Sequence, residues 1–109
     1  MLGALGYRRV WATEREIGYG LQGTDDKFAI KSRDAPVAAP SAGFHVAFAA
    51  PSTGAVHAFH EHALVHGGRD DGAPGPRPQY GADYYAAFVI DPDGYRIEAV
   101  HARAEADLP

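Results

Sequence analysis

Two side chains stand in otherwise apolar runs where they could do chemistry: His45 in FHVAFAA and Glu98 in YRIEAVH. An imidazole and a carboxylate brought together can hold a divalent cation or pass a proton. A second concentration is HAFHEHALVH, residues 57–66, which resembles a metalloprotease helix at first sight. The H-E-x-x-H spacing would need histidine at position 64, and Leu64 stands there, so that motif fails. His62 with His66, and His57 with Glu61, have chelating i, i+4 spacing. Without a third ligand they read as a solvated helix surface. No phosphate-binding, dinucleotide or hydrolase-elbow motif occurs.

Composition narrows the partners. With no cysteine there is no disulfide framework, thiolate site or cysteine nucleophile, so any metal would rest on His and carboxylate ligands. Ten Lys and Arg stand against fourteen Asp and Glu, for a formal net charge of -4. The basic residues are scattered, which lacks the electrostatic stripe of a nucleic-acid binder. No apolar run approaches the roughly 20 residues of a membrane helix, and MLGALGYRRV does not read as a secretory signal. A cytoplasmic location is the default expectation. At 109 residues, 46% hydrophobic and 22% charged, the chain reads as one soluble domain, 1–109, with one core.

The elements that must position these groups follow from pattern. Residues 7–13, 17–22 and 27–32 are short, rich in aromatic and β-branched residues and divided by turn-like pieces such as Gly23-Thr24-Asp25-Asp26, which predicts an antiparallel meander. Residues 33–42, with Pro36 and Pro40, read as a crossover loop, and 43–50 as a fourth strand. A helix follows, capped by Ser52, with Val56, Phe59, Ala63 and Leu64 on one face and Gly67-Gly68 as its stop. The Gly- and Pro-rich stretch 67–83 reads as a long loop with at most one short strand, a place where binding lids occur. Residues 84–90 and 95–102 flank Asp91-Pro92-Asp93-Gly94 and predict a hairpin with a four-residue loop. The tail RAEADLP reads as solvated. One helix on a sheet of several strands is an α+β arrangement, with one sheet face left open.

Parity then assigns faces. A four-residue loop opposes Ile90 to Tyr95, Phe88 to Ile97 and Ala87 to Glu98. Ala86, Phe88, Ile90, Tyr95, Ile97 and Ala99 would pack on the helix, leaving Tyr85, Ala87, Val89, Arg96, Glu98 and Val100 on the open face. In GFHVAFAA the bulky Phe44, Val46 and Phe48 belong under the helix, which places His45, Ala47 and Ala49 opposite. His45 and Glu98 therefore share a face, beside small alanines. The plainer alternative pairs Glu98 with Arg96 at a wet surface, where such a pair contributes little.

The hairpin FVIDPDGYRIEAVH, with GYRRV near the start, FHVAFAA before the helix and the Gly/Pro loop, resembles the vicinal oxygen chelate superfamily of glyoxalases, bleomycin-resistance proteins and extradiol dioxygenases. The resemblance covers roughly residues 5–101. It implies paired β-α-β-β-β modules curled round a cleft, here a partial first module, 1–35, and a second module, 43–102. A full first module would begin with a strand and a helix before GYRRV, and KFAIKS offers no ligand where the second module has Glu98. The resemblance further implies metal ligation by His45 and Glu98, with Zn, Ni, Fe or Mn as the candidate ion. Glu98 would be able to double as a catalytic base. Two ligands and water hold such ions weakly compared with three or four.

The implied activity is lyase, isomerase or dioxygenase chemistry on a small oxygen-chelating substrate, in a cleft lined by Ala47, Tyr85, Ala87 and Arg96 as well. Two other readings stand beside it. One is a metal-free binding or sequestering protein holding a planar or cationic molecule, with Glu98 as counter-charge. The other is an inactive dimeric scaffold. An uncovered meander face, with Trp11, Tyr19, Phe28 and Ile30 as candidates, predicts homodimerisation.

Overall fold

A computed structural model of the chain describes residues 1–21, 26–32, 34, 40–41 and 43–102. Most of the connection at 33–42, most of the turn at 23–26 and the tail at 103–109 lie outside the described residues. After a short 3-10 helix, Leu2–Leu5, the chain forms β1 (Arg8–Ala12), β2 (Glu16–Gly20) and β3 (Asp26–Lys31), an antiparallel sheet in that order. Then come β4 (Val46–Ala49), helix α1 (Thr53–Val65), β5 (Arg69–Pro76), β6 (Tyr85–Ile90) and β7 (Arg96–His101). The second sheet has the order β4-β7-β6-β5, with β4 parallel to β7 and the other neighbours antiparallel. The architecture is α+β, as expected.

Helix α1 forms where its signals lie. Ser52 accepts a hydrogen bond from the Ala55 amide at 3.1 Å, filling one of the donors that a helix start leaves unpaired. At the other end Gly67 takes φ +98, its amide reaches Leu64 O, and the Gly68 amide reaches Ala63 O at 2.8 Å. This paired pattern closes the last carbonyls, and its left-handed residue suits glycine. Val56 and Phe59 are fully buried and Ala63 nearly so, but Leu64 is exposed, so the buried stripe is narrower than predicted.

That stripe meets Phe48 of β4, Ala87 and Val89 of β6, and Ile97 and Ala99 of β7, with Leu2 and Leu5 at the border. Ala87 and Ala99 have no exposed surface, because small side chains there let the helix approach the sheet. Complete burial of Phe59 and Val56 contributes about 1.5–3 kcal/mol each. The first sheet joins the core through rings: Phe48 makes edge-on contacts with Tyr7 at 5.6 Å and Phe28 at 5.1 Å.

Three expectations are corrected. The hairpin loop has three residues, not four: the Asp91 amide bonds Tyr95 O, the Gly94 amide bonds Asp91 O, and Gly94 takes φ +89. A turn closed by one left-handed glycine shortens the loop, and the Asp91 carboxylate fixes it by accepting from the amides of Asp93 and Tyr95. Ile90 therefore opposes Arg96, Phe88 opposes Glu98 and Ala87 opposes Ala99. A shift of one residue turns every β6 side chain over. Tyr85, Ala87 and Val89 lie on the helix side, while Ala86, Phe88 and Ile90 share the open face with Glu98.

Secondly, the stretch 67–83 holds an eight-residue edge strand, 69–76, where a loop with at most one short strand was expected. Pro74 and Pro76 are tolerated because an edge strand has one unpaired side, and two register shifts absorb the irregularity. Thirdly, the meander's apolar residues do not form one bare face. Trp11 opposes Gly18, where an added Cβ would stand 2.3 Å from the indole, whereas Tyr19 opposes Phe28 and both pack on the core. Ile30 remains half exposed.

Candidate functional site

Parallel pairing sets Ala47 beside Glu98 and leaves His45 just ahead of β4 on the same open face. His45 Nε2 lies 2.6 Å from Glu98 Oε1, and the Tyr84 hydroxyl donates to Glu98 Oε2. Only 1% of Glu98 is exposed, whereas the His45 side chain is 45% exposed. A buried carboxylate is costly unless its lone pairs are filled, and here both oxygens are held. A carboxylate only accepts, so a bond to its ionised form takes its proton from Nε2. Nδ1 of His45 has no hydrogen-bond partner among the described residues, and its side chain is 45% exposed.

Tyr84 stands one residue before β6 and, by parity, on the Glu98 side. Burial pushes its phenol up to about 12, helped by the hydrogen bond to Glu98 and by that carboxylate's charge. The phenol thus stays protonated, as a donor, throughout the neutral range. Beside the pair, Phe88 sets its ring 6.1 Å from the His45 ring, and the Arg77 guanidinium lies 5.4 Å from the Phe88 centroid. Arg96 donates to Asp71 at 2.8 Å instead of meeting Glu98, so the plain surface pair does not form.

Of the predicted site residues, His45, Ala47, Arg96 and Glu98 share the open face. Tyr85 and Ala87 do not: Tyr85 bonds His57 of α1 at 2.6 Å, and Ala87 is sealed beneath the helix. His60 likewise ties α1 to β5 through Asp70 at 2.9 Å. That hydrogen bond, with one from the Gly72 amide, holds the Asp70 carboxyl below its ordinary range. Sequence reading missed Tyr84, Phe88 and Arg77. Moving the hairpin by one residue would have found the first two, while Arg77 lay in a stretch read as loop.

His45 and Glu98 are bonded to each other, and among the described residues no group of three His, Asp or Glu converges. Two donors in direct contact do not by themselves form a divalent-metal site, which takes three or more ligands. A separate cavity of about 400 Å³ opens on the other side of β4 and β7, between Phe28 and Ile30 of β3 and Phe44 and Tyr95. It does not touch Glu98.

The chain belongs to the glyoxalase/bleomycin resistance protein/dioxygenase superfamily, whose model matches residues 2–99. It is similar to a glyoxalase/bleomycin resistance protein from Albidiferax ferrireducens T118, with 31% identity and a TM-score of 0.75 over 94% of this chain and 81% of that one. A glyoxalase-related enzyme from Fulvimarina pelagi shares the fold at 19% identity and a TM-score of 0.62, over 93% of this chain and 80% of that one. No curated protein matches the chain. Members of the superfamily often use divalent metals, commonly form dimers and bind small ligands. No helix among the described residues is long and apolar enough to cross a membrane.

Proposed function

We propose that this chain binds a small molecule on the open face of its second sheet and acts on it through His45. The observation that carries this reading is the buried Glu98 carboxylate, held by Tyr84 on one oxygen and by His45 on the other. Such a carboxylate fixes the tautomer of its histidine and stabilises the imidazolium when Nδ1 takes a proton. Glu98 thereby positions His45 instead of serving as the base itself, since neither of its oxygens is free. Phe88 gives the ligand an apolar wall, and Ala47 leaves space beside the pair. A substrate with an acidic C–H or O–H next to a carbonyl suits a neutral histidine base, which fits lyase or isomerase chemistry.

The test is calorimetric titration with aromatic and dicarbonyl compounds against the parent, His45→Ala and Glu98→Ala. Binding that is lost in His45→Ala supports the reading. Binding unchanged in both variants, or none to any compound, overturns it.

A second reading is favoured by the convergence of His45 and Glu98, the two positions at which the superfamily resemblance implies ligands. There the pair would hold Zn, Ni, Fe or Mn once further donors came from a second copy of the chain. Metal analysis of tag-free protein decides: stoichiometric metal lost on His45→Ala supports this reading, and metal-free dimers sink it. With it goes the view of one domain over 1–109, a partial first module at 1–35 and a second module at 43–102, working as a cytoplasmic homodimer. Sedimentation of a monomer at micromolar concentration would overturn the dimer.

A further inference from the structure

We infer that the open-face ligand is a small oxyanion, a carboxylate beside a planar group, and that Arg77 is the residue that selects its charge. This rests on the open-face reading above and adds the sign of the ligand. The charge a ligand meets there is not that of Glu98, which is 1% exposed with both oxygens bonded. Nor is it that of Arg96, which Asp71 neutralises at 2.8 Å.

Arg77 differs from both. It forms no ion pair among the described residues, and its Nη2 and Nη1 donate to the carbonyls of Ala73 at 2.6 Å and Pro76 at 3.3 Å. A guanidinium has five N–H donors, so part of the fork is left for a ligand while two backbone oxygens hold its plane. The seat is built into β5. A Cβ at Gly72 would stand 2.9 Å from the Phe88 ring and 3.3 Å from Nη2, and one at Gly75 would stand 3.3 Å from Nη1.

Phe88 is the shared neighbour of Arg77 and His45. A molecule lying along the Phe88 ring would meet the cation with its carboxylate and the imidazole with its reacting hydrogen. Planar, bidentate recognition of carboxylates is what the guanidinium fork does best.

The experiment compares benzoate with its neutral counterpart benzamide by calorimetry at millimolar concentration, in the parent, Arg77→Gln, Arg77→Lys and His45→Ala. We expect benzoate to bind roughly tenfold or more tighter than benzamide, the scale of a charge-assisted hydrogen bond. Arg77→Gln should abolish that preference. Because Arg77 also fastens β5, melting curves accompany each variant; if Arg77→Gln unfolds, Arg77→Lys carries the test and should keep a reduced preference. Equal binding of both probes, with both lost in His45→Ala, overturns the oxyanion inference but leaves the open-face site standing. If neither probe binds, or His45→Ala changes nothing, both readings fall.

Discussion

Strands β1–β3 and β5–β7 are both antiparallel three-strand ribbons, yet only the second lies beneath a helix. The covered ribbon buries Ala87, Val89, Ile97 and Ala99 and carries Glu98 and Phe88 on its other face, where His45 from ahead of β4 joins them. The uncovered one leaves Ile30 half exposed and offers Ala29 and Ile30 at mid-strand where β7 has its carboxylate. The difference teaches that a buried charge needs a rigid support: Glu98 is held in place because the opposite side of its strand is locked into the core.

The comparison breaks most sharply at Phe59. Phe59→Ala removes a fully buried ring and should cost about 3–5 kcal/mol in denaturant unfolding. Ile30→Ala, on the uncovered ribbon, should cost about 1 kcal/mol or less. Equal losses would mean that both ribbons carry the core alike.

Next in size is Glu98→Ala, which strands the Tyr84 hydroxyl and His45 Nε2 and should cost about 2–3 kcal/mol. Glu98→Gln keeps the shape and should bring the Tyr84 phenol down from about 12 toward the ordinary 10.0, followed by phenolate absorbance. The sign is fixed by the raised value: the protonated phenol favours the folded state below pH 10.0, and that contribution fades as pH climbs through about 12. An unmoved titration would detach Tyr84 from Glu98.

A smaller effect, about 1 kcal/mol, is expected for Ser52→Ala, since it removes the side chain that starts the helix cover. Smallest is Asp70→Asn at the edge strand. The lowered Asp70 carboxyl stabilises the fold above pH 3.8, and this is lost as pH falls through the folded value. The variant should therefore show a flatter acid limb in thermal melts, while an unchanged limb would show that the His60 clamp contributes nothing.

Much of this was legible in the sequence, for physical reasons. The helix announced itself through Ser52, Gly67 and the Val56–Phe59–Ala63 spacing, and the β7 faces followed from strict alternation. His45 and Glu98 fell on one face because both strands alternate from strong apolar anchors. The β6 faces were inverted because loop length sets register, and Asp91-Pro92-Asp93-Gly94 is compatible with closure by three residues or four until Gly94 is seen left-handed. Strand β5 was illegible because glycine and proline argue against a strand, and only its place at the sheet edge makes them tolerable. Arg77 was hidden with it, since its importance comes from the ring it covers and not from its neighbours in sequence.

The bond between His45 and Glu98 joins residues 53 positions apart, across the one parallel pairing in the second sheet. Non-local pairings of this kind close late, because the intervening chain must be ordered first. A nascent chain would therefore hold a helix and an edge hairpin while its imidazole still faced water alone. The His45–Glu98 bond should be among the last native contacts to return on refolding, and the quenching of a probe beside His45 would time the docking of the final strand.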